Sequence, residues 1–146
     1  MTSIEPALGS DRPAIEQLLT EAGLPLEGLE LALSTAIIAR SDGVERAVVG
    51  CAAIEPYGSA GLLRSVCVAS DFRGTGAGRN LVTAAESLAA ARGIEDLYLL
   101  TETAVDWFPR LGYEFTSRAA VPAALTSSPE FTSACPESAA VLRKRL

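Results

Sequence analysis

The sequence predicts an α+β domain built on one mixed β-sheet. Three strand-like apolar runs follow one another at short spacing, which is typical of antiparallel pairing. A long amphipathic helical pattern then separates the third run from a fourth, and such a crossover implies one parallel pair. The predicted order is αββ(β)αβαββ, without repeats or linkers, so we expect a single domain over residues 1–146.

The first predicted element is a helix over Ser10–Ala22. Its apolar residues recur at helical spacing, Pro13 falls in the first turn where it is tolerated, and Gly23 provides a natural end. The following segment, Leu24–Leu33, has a mixed pattern, and a short second helix is one interpretation of it.

Three strands are predicted next, over Ala36–Arg40, Ala47–Ile54 and Leu62–Val68. The gaps between them are short and rich in turn residues, which indicates antiparallel hairpins. A turn near Gly58 and Ser59 would place Cys51 opposite Cys67 on adjacent strands, where small thiols pack well.

The second half of the chain opens with a glycine-rich turn at Arg73–Gly78 and a helix that continues to Arg92. A strand parallel to the preceding one is expected after it, then a short helix capped by Asp106 with Pro109 in its first turn. The remaining predicted segments are the parallel strand Leu97–Leu100, the short helix Asp106–Leu111, the strand Tyr113–Ser117, short helical turns over Ala119–Pro136 and the last strand Ala139–Lys144.

Composition excludes several classes of function. The formal charge of −6, with one basic cluster at residues 143–145, argues against nucleic-acid binding. No apolar run is long enough to span a bilayer, and the first residues lack a secretory pattern, so a cytoplasmic protein is expected. The absence of histidine removes Ser-His-Asp chemistry and disfavours zinc, and three cysteines without close spacing indicate no metal site.

The glycine-rich turn carries the chemical signal. It lies between a strand and a helix, and the free main-chain N–H groups at a helix start attract anions. The turn lacks the lysine of a P-loop, and its glycine spacing fails the dinucleotide fingerprint. What remains is R-x-x-G-x-G from Arg73 to Gly78, directly after a V-x-V strand end.

This succession resembles the coenzyme A-binding motif of the GNAT superfamily. The V-x-V end at Val66–Val68, the R-G-x-G-x-G-R-x-L run and W-F-x-x-L-G-Y at Trp107–Tyr113 occur in the superfamily's order. The resemblance implies a mixed sheet with a bulged, splayed strand pair and helices on both faces. It also implies acetyl-CoA as cosubstrate without a metal, held by Val66, Cys67, Val68, Arg73, Gly74, Thr75, Gly76, Ala77, Gly78 and Phe108.

The resemblance implies direct attack by the acceptor amine in a ternary complex, with main-chain N–H groups near Val66 and Val68 polarising the thioester carbonyl. Two positions depart from the family pattern, since Phe108 replaces a frequent tyrosine and Thr101 a frequent asparagine. The departing thiolate therefore takes its proton from Thr101, from water or from no group. Tyr98 and Tyr113 are alternative donors, although their placement is typical of core residues.

A narrower resemblance concerns the acceptor. Fragments such as Leu63–Val66 and Leu97–Ala104 are similar to bacterial N-acetyltransferases associated with arsenic resistance. This implies an amino-acid-like amine, such as a toxic phosphinate or arsinate amino acid, and a generic amino acid is equally allowed. Ser65 and Glu102 are candidate acceptor-binding residues, Glu102 because it follows a parallel strand, where ligands tend to bind.

Arg64 is the most informative candidate near the acceptor. Simple alternation along the strand places it on one face with Val66 and Val68. An arginine in an apolar strand either meets a carboxylate of the protein or waits for one on a substrate. Glu55, at the end of the neighbouring strand, is the protein carboxylate that could pair with it, and is also a candidate general base.

Two other functions remain open. A GNAT-like fold with Phe108 at the tyrosine position could sense acetyl-CoA or a metabolite without turnover. Alternatively, Cys51, Cys67 and Cys135 could bind arsenite if they converge. For the enzyme, the expected partner is a small-molecule amine, with no nucleic acid or membrane. Members of the superfamily often dimerise, so a homodimer stays open.

Overall fold

The computed structural model describes residues 2–134 and 138–146, without the side chains of residues 133 and 134. Its strands form one sheet in the order β1-β2-β3-β4-β5-β7-β6. Their bounds are β1 Thr2–Pro6, β2 Ile37–Ser41, β3 Val48–Tyr57, β4 Ala60–Val68, β5 Asp96–Thr101, β6 Glu114–Thr116 and β7 Ala140–Arg145. The β4–β5 pair is parallel and the other neighbouring pairs are antiparallel, which confirms the predicted mixed sheet.

Among the described strands, β1 is the one that the sequence did not predict. Its five residues, TSIEP, contain one isoleucine and no clear alternation, so periodicity gave no signal. Pairing with β2 from Thr2↔Ser41 to Pro6↔Ile37 holds it in the sheet. Glu5 adds an ion pair with Arg40 at 2.9 Å between Oε1 and Nε. Tertiary contacts therefore decide the conformation of this segment.

The site depends on how β4 leaves its neighbours. Residues Ala60–Leu62 pair with β5, and the remainder of β4 has no ladder partner on that side. On the other side, Cys51 pairs with Cys67 and Ala53 with Arg64, so two β4 residues oppose Ala52. This is a bulge, and Ser65 within it has a left-handed φ of 59°. The splayed, bulged strand that the resemblance implied is present.

The bulge corrects one sequence prediction. Arg64 and Cys67 both lie opposite odd-numbered residues of β3, so they point to the same face. Val66 packs instead with the core on the opposite face. The expectation that Arg64 shares a face with Val66 and Val68 is wrong, because the extra residue reverses the alternation.

Two helices cover the two faces of the sheet. Helix α1, Arg12–Glu21, buries Ile15 and Leu19 against Ile38 and Cys51. Helix α2, Ala77–Ala91, buries residues such as Leu81 and Ala85 in the larger core on the opposite face. Both predicted helices are confirmed, as is their placement on opposite faces. None of the helices among residues 2–134 and 138–146 has the length and hydropathy to cross a bilayer.

The shorter helical segments agree with prediction in place and differ in detail. The Asp106–Leu111 prediction becomes a 3-10 turn at Phe108–Leu111, preceded by Trp107 without a side-chain cap. The prediction that Asp106 caps this turn is therefore wrong. Trp107 occupies the N-cap position, one residue after Asp106. The other segments are 3-10 turns at Gly9–Asp11, Leu29–Leu31, Leu33–Thr35, Ser70–Phe72 and Arg118–Ala120, helix α3 at Ala123–Thr126 and a π-turn at Glu130–Ala134. Cys135 and Pro136 of the predicted turns lie outside the described residues.

Candidate active site

A cleft of about 480 Å³ opens where β4 and β5 separate. One wall is the bulged half of β4, and the other is the end of β5 with the residues that follow it. The loop after α1 and residues from the segment following β6 close the cleft. The described lining consists of residues 22–25, 63–67, 73, 99–104, 108, 130 and 139. The loss of β4–β5 pairing therefore creates a space between two strands of the same sheet.

The glycine-rich turn reaches the cleft through Arg73, whereas residues 74–78 do not belong to the described lining and lead on into α2. Gly74 and Gly76 have left-handed φ angles of 79° and 89°, and space is open around both. In the described chain, the N–H groups of residues 74–79 make no main-chain hydrogen bond of ordinary geometry. These groups and the positive end of a 15-residue helix form a place where an anion can bind.

The other residues of the turn have different surroundings. A Cβ on Gly78 would lie 3.2 Å from the Trp107 ring, so this glycine allows close packing of α2. Ala77 has a buried side chain, which leaves its main-chain N–H as the group available to a ligand. The Thr75 hydroxyl donates to the carbonyl of Phe72 and fixes the turn. Glycine spacing in the sequence could not separate the packing position from the open ones.

Arg73 and the bulged strand connect the turn to the cleft. Arg73 is exposed, lines the cleft, and donates from Nε to the Val68 carbonyl at 3.3 Å. Ser65, Val66 and Cys67 also line it. Val68 lies beside it, in a neighbouring pocket of about 100 Å³ that Cys67 and Arg73 share. The structure thus brings these predicted cofactor residues together around one end of the cleft.

Arg64 lies in a buried network of charges. Its side chain has no exposed area, and Nη1 is 2.7 Å from Oε2 of Glu55, which is also buried. Nη1 also donates to the Glu27 carbonyl at 2.8 Å, and Nη2 to that of Pro25 at 3.3 Å. Nε donates to the Ser65 hydroxyl at 3.1 Å. Of the two alternatives for Arg64, these contacts are those of the ion pair within the protein.

Glu55 is held from several sides. Its Oε1 accepts hydrogen bonds from the Tyr57 hydroxyl at 2.6 Å and the Ser128 hydroxyl at 2.7 Å, while Oε2 receives Arg64. Glu55 is not among the described residues that line the cleft. Burial, followed by the bond to this carboxylate, raises the pKa of Tyr57 to about 12. The carboxylate of Glu55 is therefore positioned to balance Arg64.

Glu130 is a cleft residue that the sequence analysis did not single out. Its Oε2 lies 3.6 Å from Nε of Arg64, and the residue is 4% exposed. Its main-chain N–H donates to the hydroxyl of Ser128, the same side chain that contacts Glu55. Glu130 follows a serine- and proline-rich stretch, and no periodicity marks such a residue as buried. Only the folded chain brings it beside Arg64.

The opposite wall carries Thr101, Glu102 and Phe108. The Thr101 hydroxyl accepts the main-chain N–H of Ala104 at 3.0 Å, which leaves its own proton for another acceptor. Glu102 is exposed at the rim. Phe108 is buried, with its ring edge-to-face against Trp107 and Tyr113.

The two tyrosines considered as alternative proton donors lie in the core. Neither Tyr98 nor Tyr113 belongs to the described lining of the cleft. The Tyr113 hydroxyl donates to Glu86 at 2.9 Å, and burial together with this carboxylate raises its pKa far above the usual range. Both tyrosines therefore pack in the core, and Tyr113 also hydrogen-bonds there.

The thiols are poorly reactive in this environment. Cys51 and Cys67 are free, buried, and opposite each other on β3 and β4, as predicted. Burial raises the pKa of Cys51 to about 12 and also raises the pKa of Cys67. Both thiols are thus protonated at neutral pH, the form that is neither a nucleophile nor a soft-metal ligand. Cys135 lies outside the described residues.

Comparison with known sequences identifies relatives. The family model for the acetyltransferase (GNAT) domain matches residues 33–115, more than half of the chain. An amino-acid acetyltransferase of Pasteurella multocida is 32% identical over 129 residues, which cover 82% of this chain and 29% of that protein. An uncharacterized N-acetyltransferase of Chlorobaculum tepidum is 37% identical over 68 residues, 46% of this chain and 43% of that one. The chain thus spans less than a third of the Pasteurella relative.

Solved structures give the same result for the fold. The N-acetylglutamate synthase of Neisseria gonorrhoeae, complexed with coenzyme A and N-acetyl-glutamate, has a TM-score of 0.83 at 26% identity, covering 100% of this chain and 35% of that one. Rv2747 of Mycobacterium tuberculosis, solved with CoA and NLQ, shares the fold with a TM-score of 0.83 at 24% identity, covering 99% of both chains. With the family-model match, these similarities show that the chain belongs to the GNAT acetyltransferase family.

Proposed function

We propose that the protein is an acetyl-CoA-dependent N-acetyltransferase that acetylates the amine of a small, amino-acid-like acceptor. One observation carries the proposal: the cleft between the splayed strands is lined by Arg73, the first residue of the turn whose N–H groups are open at the start of α2. One end of the space thus suits an anionic cofactor, and the other is a half-enclosed chamber. Family membership supplies the chemistry that such a cleft serves.

The residues present fit coenzyme A. The N–H groups of residues 74–79 and the Arg73 guanidinium would hold the pyrophosphate, because both offer positive charge and hydrogen-bond donors to phosphate oxygens. The unpaired edge of β4 beyond Leu62 offers main-chain groups to the pantetheine arm. The bound cofactor supplies an acetyl thioester at the cleft.

The acceptor amine, once deprotonated, attacks the thioester carbonyl carbon and forms the new C–N bond. Main-chain N–H groups near Val66 on the bulged strand stabilise the negative charge that develops on the carbonyl oxygen. The C–S bond then breaks, and the thiolate takes a proton either from water directly or from the Thr101 hydroxyl, which regains its proton from water in the same step. The nitrogen loses its extra proton to water. No protein nucleophile is needed, which agrees with the protonated state of the cleft's thiol, Cys67.

Two catalytic candidates take distinct roles in this proposal. Thr101 faces the cleft with a free hydroxyl proton and is the candidate donor. Glu55, whose two oxygens are occupied by Arg64, Tyr57 and Ser128, acts as a positioning residue that fixes Arg64 behind the acceptor wall. Proton removal from the amine then falls to water in the cleft.

The acceptor class rests on the relatives. The Pasteurella protein is an amino-acid acetyltransferase, and the Neisseria synthase was solved with N-acetyl-glutamate. We extend an amino-acid-like acceptor from these to this chain. Amino acids that carry an arsinate or phosphinate group are included, and their acetylation would give a role in resistance to such toxins. Ser65, Glu102 and the Arg64 network are the residues proposed to contact or shape the acceptor.

The test measures acetyl-CoA consumption through the appearance of the free thiol. The acceptors compared are amino acids, simple amines, and arsinate and phosphinate amino acids. Turnover with at least one α-amino acid is the expected result. Coenzyme A binding is titrated in parallel. Binding without turnover on any amine would contradict the enzyme and favour a sensor, for which Phe108 at the tyrosine position is the supporting observation. The absence of binding would contradict both.

A further inference from the structure

The bulge in β4 holds one serine in an unusual backbone conformation. Ser65 has a φ of 59°, in the left-handed region that residues with side chains seldom adopt. It lies where the β3–β4 register shifts, between the pairs Cys51↔Cys67 and Ala53↔Arg64. A residue in such a conformation persists only where its surroundings hold it. The groups that contact Ser65 are therefore the groups that fix the bulge.

Two side chains hydrogen-bond to Ser65. Nε of Arg64 donates to its hydroxyl at 3.1 Å, and Sγ of Cys51 donates to its main-chain carbonyl at 3.1 Å. Cys51 is 1% exposed, and burial raises its pKa to about 12. At neutral pH the thiol therefore keeps the proton that this bond requires. The Cys51 thiol thus anchors the Ser65 carbonyl on the β3 side of β4.

The carbonyl of Ser65 and the N–H of Val66 belong to one peptide group. Every peptide bond among the described residues is trans, so these two groups point in opposite directions. Since the carbonyl points to Cys51 on β3, the N–H points away from β3, toward the side where β4 separates from β5. Val66 lines the cleft there, and the described ladders pair it with no residue of β3 or β5. The direction of a main-chain donor at the cleft thus depends on a buried thiol.

We infer that Cys51 is a positioning residue for acetyl transfer, because its hydrogen bond to Ser65 directs the Val66 N–H into the cleft. The inference rests on the proposed function, in which main-chain donors near Val66 stabilise the negative charge on the thioester oxygen. Without the thiol, the buried carbonyl of Ser65 loses a donor, and rotation of the peptide group toward water in the cleft replaces it. The same rotation turns the Val66 N–H away from the cleft.

The first experiment compares the kinetics of wild type, Cys51→Ala and Cys51→Ser with an acceptor that the wild type acetylates. Cys51→Ala removes the donor, so kcat should fall about fivefold or more, while the acceptor KM and the coenzyme A affinity stay within about twofold. Cys51→Ser keeps an O–H donor and should recover about half of the wild-type kcat or more. A kcat for Cys51→Ala equal to that of the wild type would overturn the inference.

Ile38→Val is the matched control for the loss of packing. Ile38 is fully buried, pairs with Cys51 across β2 and β3, and packs in the same apolar cluster. Its change to valine removes one heavy atom beside Cys51 and no hydrogen bond, so kcat should equal that of the wild type. Equal losses in Ile38→Val and Cys51→Ala, or no recovery in Cys51→Ser, would contradict the role of the hydrogen bond.

An infrared measurement tests the hydrogen bond without any activity. The S–H stretching band of Cys51, taken from the difference between wild type and Cys51→Ala, should lie at lower frequency than the band of Cys67, taken with Cys67→Ala. The reason is that Cys67 donates to the Leu18 carbonyl over a longer distance, 3.5 Å. A Cys51 band at or above the Cys67 frequency would contradict the anchoring of Ser65. If Cys51→Ala does not fold, Cys51→Ser replaces it in the difference spectrum.

The outcomes separate this inference from the proposed function. Failure of the wild type to consume acetyl-CoA with any amine would contradict the proposed function, and with it the role of Cys51 in transfer. Turnover by the wild type that Cys51→Ala matches would overturn the role of Cys51 alone and leave the acetyltransferase intact.

Discussion

A guanidinium can be buried only where its charge and its N–H groups are matched by acceptors. Arg64 meets this condition with the carboxylate of Glu55, two carbonyls of the loop after α1 and the Ser65 hydroxyl. The network therefore joins β3, β4 and that loop behind one wall of the cleft. Removing Arg64 would leave Glu55 buried with the hydroxyls of Tyr57 and Ser128 and without its cation.

At this residue scale we predict that Arg64→Met lowers the free energy of unfolding by about 3–5 kcal/mol, because Glu55 then remains as a buried carboxylate without its cation. The double variant Arg64→Met/Glu55→Gln should lose less than the sum of the single losses, since it removes the charge on both sides. Denaturant unfolding measures each value.

The control for this prediction is an exposed ion pair. Arg143 lies 2.6 Å from Asp96, and its side chain is 40% exposed. Arg143→Met should cost no more than about 1 kcal/mol, because solvent screens such a pair. Strictly additive losses for Arg64 and Glu55 would contradict the account of the network.

At the scale of the element, the start of α2 combines two requirements in one turn. Gly76 has a φ of 89° immediately before the helix, a conformation that side chains resist, and Gly78 lies against Trp107. The first glycine gives the turn its shape, and the second gives the helix its packing distance. The open N–H groups follow from the conformation of the turn.

We predict that Gly76→Ala destabilises the protein by about 1–2 kcal/mol, because alanine is strained at a left-handed φ. Gly43→Ala in the loop between β2 and β3 is the matched control, since its Cβ has open space and no left-handed angle. It should be neutral or slightly stabilising. Equal unfolding free energies for the two variants would show that the turn is not constrained as described.

The elements also show what sequence reasoning reaches. Helix α2, the β3–β4 hairpin and the Cys51–Cys67 pairing follow from periodicity and turn residues, and the structure confirms them. Strand β1 was missed because its conformation comes from pairing with β2, and the face of Arg64 was wrong because a single extra residue in β4 reverses the alternation. Local patterns do not contain either cause.

At the scale of the whole molecule, thiol and phenol groups that burial keeps protonated make the folded state less stable at alkaline pH. Burial raises the pKa of Cys51 from 9.0 to about 12, and burial with the Glu55 hydrogen bond raises that of Tyr57 from 10.0 to about 12. In the unfolded chain both groups ionise at lower pH. The folded state therefore binds more protons across that interval, and its stability falls as the pH rises.

We predict that the free energy of unfolding is constant with respect to these groups below about pH 9 and decreases between about pH 9 and pH 12. Cys51→Ala should reduce the slope in this window by up to about 1.4 kcal/mol per pH unit, the limit for one titrating group. Denaturation curves at several pH values measure it. A slope identical to that of the wild type would mean that burial does not keep the Cys51 thiol protonated over this pH range.

At this scale, the sequence predicts only part of the candidate site, because one part is a continuous segment and the other is assembled from separate segments. The glycine-rich turn is continuous in sequence, so its spacing could be read directly. The acceptor side is assembled from the loop after α1, β4, and the segment around Glu130, which is distant in sequence from both. Such a surface depends on how separate segments meet, and no single window of sequence contains it.

The most direct test of the central claim is a coenzyme A titration of the wild-type protein, Arg73→Ala and Arg92→Ala. Arg92 is an exposed arginine just past the opposite end of α2, which makes it the matched control. We predict that wild type and Arg92→Ala bind with equal affinity and that Arg73→Ala binds about tenfold or more weakly, because a charge-assisted phosphate contact is lost. Equal affinity for all three proteins, or no binding by the wild type, would contradict the placement of the cofactor at the start of α2.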